Sequence, residues 1–223
     1  VLGYIVENNV IQQTVLQAVL NHPTISYHAP VALNAIKLTA EKIAIETDQG
    51  VFSAKLAVGA DGAHSWLAAK TGLSNPLQSY AAMGLVTTVT TEKPHDKTAR
   101  QIFLKQGPLA FLPLQAPERS SIVWSLPVEE AHRLLNVDDA SFSAELSLRF
   151  ENRLGDVTQV GKRFAFPLAH HEVHHYIAER IALVGDAAHT MHPLAGQGAN
   201  LGLLDAASLV DVLKAAQGAQ TPE

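Results

Sequence analysis

The 223-residue chain has no cysteine, which removes disulfide frameworks, thiolate metal sites and a cysteine nucleophile from consideration. A cysteine-free chain also fits a reducing compartment. Basic residues are in the minority, 16 Lys and Arg against 21 Asp and Glu for a net charge of -5. That balance lacks the basic surface a phosphate-tracking protein needs, so no nucleic-acid partner is expected. No apolar run is long enough to span a bilayer, and the N-terminus lacks a signal-peptide layout. Internal repeats and low-complexity tracts are also missing. What the chain does have is 47% apolar and only 17% charged residues, the composition of a globular protein with a sizeable core, arranged as one large domain or two small ones.

Periodicity suggests an alternation of elements. Asn8 or Asn9 can cap a helix over Val10 to Leu20, whose apolar positions Val10, Ile11, Val15, Leu16, Val19 and Leu20 share one face. Strands are expected over 24–28, 31–38 and 42–46, and Asp48-Gln49-Gly50 then turns the chain into a strand over 51–58. Leu56 to Ala60 is small and apolar, as for a strand covered on both faces. From about Tyr80 the segments 84–91, 99–104, 109–114 and 120–126 are β-rich. Helices over 128–135 and 140–152 and a strand over 160–167 follow. The fold class expected is α/β: a partial doubly wound domain carrying an inserted, mainly antiparallel sheet, with boundaries at 1–78, 79–177 and 178–223.

Two segments could carry chemistry. In Arg180 to Asn200, a buried strand over Ile181 to Val184 ends in Gly185-Asp186. A connection with Pro193, Gly196 and Gly198 then opens a helix over Ala199 to Ala215, with Leu201, Leu204, Leu209 and Leu213 in its apolar set. A carboxylate at the end of a buried strand accepts hydroxyl hydrogen bonds, and a helix N-terminus adds unpaired amides and partial positive charge, a combination suited to a ribose- or ribityl-bearing cofactor. Alone, the segment reads equally well as an ordinary strand–turn–helix. Val58 to Leu67 repeats the logic: an apolar strand ends in Gly59-Ala60-Asp61-Gly62, and Ser65 stands near the start of a helix running to about Lys70. Gly62 permits close backbone approach to a ligand.

With both segments in this order, the chain resembles the class A flavoprotein monooxygenases of the para-hydroxybenzoate hydroxylase type. Within them it is similar to the ubiquinone-biosynthesis ring hydroxylases, the UbiH/UbiF/UbiI group. The resemblance runs through Gly3 to Asn8, Val58 to Gly62, Ala110 to Leu114, Ser121 to Trp124 and Leu183 to Asn200, and Glu92 to Phe103 leans towards the UbiI branch. It implies an FAD-dependent enzyme that uses NAD(P)H and dioxygen, through a C4a-hydroperoxyflavin, to hydroxylate a polyprenyl phenol, chemistry that needs a dry pocket. Asp61 and Gly62 would touch the FAD pyrophosphate, and Gly185 and Asp186 would hold the ribityl chain. Pro193 with Gly196, Gln197, Gly198, Ala199 and Asn200 would lie against the isoalloxazine ring. His192 and Pro193 are flavin-proximal, with no catalytic residue certain, and His189 would bond a backbone carbonyl. Leu112, Pro113 and Trp124, with Phe111, would roof the substrate pocket. Segments 1–78 and 178–223 become parts of the FAD-binding domain, and 79–177 the substrate-binding domain. The expected setting is cytoplasmic, with a peripheral encounter with the inner membrane, contact with a ubiquinone-biosynthesis complex or a homo-oligomer as partner arrangements.

The sequence departs from the family pattern in two places. Ala68 stands where an arginine is usual, three residues beyond Ser65, which puts the nicotinamide-related role of that motif in question. The N-terminal Gly-x-Gly-x-x-Gly unit is absent, and the chain starts Val1-Leu2-Gly3-Tyr4 without methionine. It therefore reads as an internal fragment, with a catalytically inactive piece that retains no FAD and self-associates as the alternative. His171-Glu-Val-His-His175 has the H-E-x-x-H spacing of a metal-dependent hydrolase. Pro167 before it and the strand at Ile181 after it leave little room for a helix, so a solvated His-rich loop, with no metal site, is expected. Arg100 and Arg180 read as surface or strand-end charges.

Overall fold

The structure, a computed structural model, describes residues 3–191 and 196–218. The chain divides into two units, Val1–Tyr27 with Ala81–Leu168 and His28–Tyr80 with Ala169–Glu223. Mixed helices and sheets make it an α/β fold.

In the first unit, helix α1 covers Asn8–Leu20. It starts earlier than the asparagine cap predicts: Glu7 precedes it without a side-chain cap, and Asn9 Oδ1 only takes its neighbour's amide, from Val10 at 2.9 Å. None of its residues is buried, and Val10, Ile11, Val15, Leu16 and Leu20 are exposed, so the predicted apolar face has no cover among the described residues. The expected strand over 24–28 is turn and irregular backbone, because no strand pairs with this stretch between Pro23 and Pro30.

The sheet of this unit is built from β5 (Gln78–Thr91), β6 (Arg100–Leu104), β7 (Gly107–Pro113), β8 (Arg119–Pro127), β9 (Val157–Val160) and β10 (Phe164–Glu172), the first and last of which run on into the other unit. β6, β7, β8 and β5 pair antiparallel in that order, and β9 pairs with the end of β5. The strand expected over 160–167 is therefore two strands. β9 ends at Val160, just before Gly161, whose amide donates to Thr88 O at 2.8 Å, and β10 starts at Phe164.

Register sorts the side chains by face. Leu85 is opposite Trp124 and Trp124 opposite Leu109, while Ile122 is opposite Phe111. This set packs with Ala131 and Leu134 of α3 (Val128–Asn136) and Phe142 and Leu146 of α4 (Asp139–Arg149). Phe111 stacks on Phe150 with ring centroids 3.9 Å apart, and each such buried side chain contributes about 1.5–3 kcal/mol. Asp138 caps α4 by accepting the Ser141 amide at 2.8 Å. Arg133 bridges Glu130 and Glu145 and so links α3 to α4. The guanidinium holds the Glu130 carboxyl below its usual range.

In the second unit, β1 (Leu33–Leu38), β2 (Ile43–Thr47) and β3 (Gly50–Ala54) form an antiparallel meander. The single strand expected over 51–58 breaks after Ala54, because β3 stays in this hairpin whereas β4 (Ala57–Gly59) leaves to pair with β12 (Ile181–Leu183). Val58 is exposed, so β4 is not covered on both faces among the described residues. β11 (Ile177–Ala178) pairs antiparallel with β12 on its other side. Helix α2 spans Trp66–Thr71, and α5 spans Gln197–Gly218. Of the predicted apolar set of α5, Leu201 and Leu209 are half-buried but Leu204 and Leu213 are exposed.

Arg180 is more than a strand-end charge. With φ at +60°, its guanidinium donates to Thr39 O at 3.1 Å, Lys55 O at 3.2 Å and Ala40 O. It thereby ties the β1–β2 turn and the β3–β4 link to the turn before β12. Arg100 likewise donates to His95 O at 2.6 Å and to Thr98 O at 3.2 Å.

Candidate functional site

The site is assembled by a parallel strand pair. β4 and β12 run side by side in register, Ala57 opposite Ile181, Val58 opposite Ala182 and Gly59 opposite Leu183. The ladder continues one step further, with Val184 N–H donating to Gly59 O at 2.9 Å. Both Gly-Asp turns therefore leave the same end of adjacent parallel strands, the carboxyl end, where open α/β sheets present ligand-binding crevices. Packing at the strand ends is close: a side chain at Gly59 would meet Leu183 Cδ2 at 2.7 Å.

In the first turn, Asp61 Oδ2 accepts the amides of Trp66 at 2.7 Å and Leu67 at 3.2 Å. Ser65 Oγ accepts from Ala68 N–H at 3.0 Å. Asp61 and Ser65 together thus satisfy amides that the start of α2 would leave unpaired. One Asp61 oxygen is committed to this capping. Gly62 has φ at +82° and open space where a side chain would project, leaving its backbone approachable.

The second turn is a single 3-10 turn over Gly185–Ala187, closed by Ala188 N–H donating to Gly185 O at 2.8 Å. Gly185 has φ at +59°, a left-handed conformation that suits glycine. The same position is crowded by α5, since a side chain at Gly202 would meet Gly185 Cα at 3.2 Å. Asp186 is exposed, and its carboxylate accepts no hydrogen bond among the described residues. Gly196, with φ at +65°, and Gly198 both face open space at the start of α5, next to the exposed Gln197, Ala199 and Asn200. The free carboxylate, the approachable Gly62 backbone and the open glycines leave room for a hydroxylated, phosphate-bearing ligand, so the residues present fit FAD. His192 and Pro193, the flavin-proximal expectations, lie outside the described residues.

Around this turn the histidines differ from expectation. His189 bonds a carboxylate rather than a backbone carbonyl: its Nε2 lies 2.6 Å from Asp205 Oδ2 on α5. The same Asp205 oxygen accepts the Gly185 amide at 2.8 Å. Sequence reasoning missed Asp205. The signal was there: it falls on the half-buried stripe of α5 with Leu201, Gly202 and Leu209, where a carboxylate on an apolar face calls for a partner.

His171 is not in a solvated loop. It sits in β10 opposite Thr190 of β13 (His189–Thr190), 5% exposed, with no hydrogen-bond partner for Nδ1. Burial holds its imidazole below the ordinary histidine range; Asp186 opposes that shift, and His189 and His64 reinforce it. His171 therefore lies within electrostatic reach of both turns. The backbone from His171 to Tyr176 is strand and bend, not helix, so the two outer histidines of H-E-x-x-H do not share a helical face. Tyr176 OH donates to Glu172 Oε1 at 2.9 Å, and burial followed by that contact pushes its phenol up to about 12.

The residues expected to roof a substrate pocket belong to the first unit and fall on different faces of its sheet. Trp124 and Phe111 are 1% and 2% exposed in the helix-covered core. Pro113, opposite Ser120, shares that face. Leu112, opposite Ser121, projects from the other face.

The FAD binding domain model matches residues 35–222. The chain is 41% identical over 214 residues to the 3-demethoxyubiquinol 3-hydroxylase of Escherichia coli, covering 95% of this chain and 54% of that protein. It is 38% identical over 217 residues to the ubiquinone hydroxylase UbiL of Rhodospirillum rubrum, covering 97% of this chain and 50% of the relative. The chain thus spans about half the length of the curated relatives it matches. Among solved structures, the p-nitrophenol 4-monooxygenase PnpA of Pseudomonas putida superposes with a TM-score of 0.75 at 19% identity, over 97% of this chain and 56% of that one, a likeness of fold.

Proposed function

Since this chain belongs to the FAD-binding domain family, we propose that it supplies the ribityl- and ring-facing part of the FAD site in an aromatic-ring hydroxylase of ubiquinone biosynthesis. The observation that carries this reading is the pair of Gly-Asp turns leaving the same end of the adjacent parallel strands β4 and β12. The ubiquinone hydroxylases among the relatives supply the reaction class.

When bound, FAD would take electrons from NAD(P)H and deliver one oxygen atom of dioxygen to the ring of a polyprenyl phenol. The chain's own residues do the binding and tuning. Asp186, free of other partners among the described residues, accepts hydroxyl hydrogen bonds of the ribityl chain. The Gly62 backbone approaches the diphosphate. Gly196 to Asn200 open α5, whose first-turn amides and partial positive charge favour negative charge on the ring system. The segments 1–78 and 178–223 are assigned to cofactor binding and 79–177 to the phenol, with Leu112 on the sheet face that the helices leave open. A lipid-soluble substrate implies an encounter at the membrane surface; no helix among the described residues is long and apolar enough to cross a membrane.

Titration of the purified chain with FAD, followed by flavin fluorescence, tests the site. Asp186→Ala is expected to weaken binding about 10- to 100-fold, the range for losing hydrogen bonds to a charged acceptor. Unchanged affinity in that variant would remove Asp186 from the site.

A second reading is favoured by the bare apolar side chains Val10, Val15 and Leu20 on α1 and Leu204, Val210 and Leu213 on α5. On this reading the chain by itself is catalytically inactive, retains no FAD and associates through these faces. A colourless protein that elutes as an oligomer supports it, whereas a stoichiometric visible flavin band in a monomer excludes it.

A further inference from the structure

Asp205 stands on α5, yet both of its hydrogen-bond partners lie in the segment from Gly185 to His189. Its Oδ2 accepts the Gly185 amide at 2.8 Å and lies 2.6 Å from His189 Nε2. These two groups bracket the 3-10 turn that carries Asp186, one at its start and one just beyond its end. The contact between helix and turn is as close as two glycines allow, with Gly202 one helical turn before Asp205 and set against Gly185. The His189 ring makes no second hydrogen bond among the described residues, since its Nδ1 is buried without a partner; β13 holds its backbone opposite Glu172. Its side chain is 12% exposed and that of Asp205 26%, so both hydrogen bonds are partly shielded from water and correspondingly strong. The left-handed Gly185 supplies no side chain of its own to hold the turn.

We propose that Asp205 is a positioning residue of the cofactor site: through one carboxylate oxygen it fixes Gly185 and His189, and so holds Asp186 in the orientation that meets the ribityl hydroxyls. The assignment rests on the reading that Asp186 binds those hydroxyls. It makes α5 contribute twice, with its first turn facing the ring and with an interior carboxylate setting the turn next to it. Asp205 acts through Asp186 and touches no cofactor itself.

The test is a double-variant cycle on the FAD dissociation constant of the full 223-residue chain. Asp205→Ala is expected to weaken FAD about 10- to 100-fold, as Asp186→Ala does. The double variant is expected to be no more than about threefold weaker than the worse single, because both changes remove one contact. Asp205→Asn, which keeps an acceptor for the Gly185 amide, is expected to recover much of the loss. Multiplicative losses in the double variant, or an Asp205→Ala protein that melts lower but binds FAD as the parent does, would overturn the proposal. An Asp186→Ala protein with undiminished affinity condemns the FAD reading instead. Nuclear magnetic resonance of the flavin-free chain then still decides on Asp205. If Asp205→Ala moves both the Gly185 amide and the His189 Nε2 signals upfield, Asp205 positions the turn; if neither moves, it does not.

Discussion

His95 offers the sharpest test of how the first unit holds its long β5–β6 connection. Its ring is 4% exposed. Nδ1 accepts the Lys97 amide at 3.0 Å, so the proton must sit on Nε2, which donates to both Leu114 O at 3.0 Å and Ala116 O at 3.1 Å. One imidazole thus fastens the turn after β5 to the turn between β7 and β8. Two consecutive non-glycine residues in that turn are left-handed, Asp96 at +50° and Lys97 at +53°. His95→Ala strands the Lys97 amide and removes the shared Nε2–H bond, about 1 kcal/mol each, and the vacated ring space costs about 1 kcal/mol more. Relaxation of the left-handed pair returns at most about 1 kcal/mol. The net loss is about 2–3 kcal/mol, which lowers the melting temperature of a chain this size by roughly 5–10 °C. His95→Asn separates the terms, since its Oδ1 can still accept an amide two residues on, as in an Asx-turn, but cannot reach Leu114 or Ala116. It is expected to recover about 1 kcal/mol. Urea and thermal unfolding read both variants. A loss below about 1 kcal/mol for the alanine variant, or an asparagine variant indistinguishable from it, would refute the account.

Other perturbations separate packing from function. Phe111→Ala empties a core position stacked on Phe150 and is expected to cost about 3–5 kcal/mol, whereas Leu112→Ala on the opposite face is expected to cost clearly less in urea unfolding and, under the function proposed above, to weaken binding of a prenylated phenol. Arg180→Ala releases three backbone carbonyls that water can partly re-solvate, so a loss of about 1–2 kcal/mol is expected, with Arg180→Gly nearer the parent because it relieves the positive φ; equal losses would contradict this. Burial depresses the His171 imidazole below 6.5. Between its folded-state pKa and 6.5 the unfolded chain binds a proton that the folded chain refuses. Stability is therefore lost as pH falls through that window, and the slope should flatten in His171→Gln; a variant with the parent's slope would show that His171 does not titrate there.

The parts of the site that were legible in the sequence are those dictated by local chemistry. Ile181 to Val184 and the end of the 51–58 segment read as strands because apolar residues run into glycine, and the two turns follow from that, although the break after Ala54 was not legible. Sequence spacing carries no information on which strands become neighbours, so the parallel register of Gly59 with Leu183 became visible only in the fold. Asp205 was missed for a related reason: its partners, Gly185 and His189, lie a loop away rather than one helical turn away. His171 was misplaced because Pro167 and a run of polar residues resemble a loop, whereas Thr190 supplies a strand partner from farther along the chain. The apolar faces of α1 and α5 were legible as patterns, but a pattern shows only that a face would gain from burial, and Val15 and Leu204 remain exposed.

The pairing of β4 with β12 also dictates when the site can exist. The β6–β7 and β7–β8 pairs are hairpins whose partners are close in sequence, and β5 reaches β8 across at most about 45 positions, whereas Gly59 must find Leu183 across about 120 intervening residues. Closing a loop of that length costs on the order of 4 kcal/mol in chain entropy before any ladder bond repays it, and such non-local pairings slow folding. A chain emerging from the ribosome would complete its Asp61 turn long before the strand that places Asp186 beside it has been synthesised. A site that needs both turns then has to wait for β12, and conditions that favour only the hairpin strands would yield native β-structure without the paired turns.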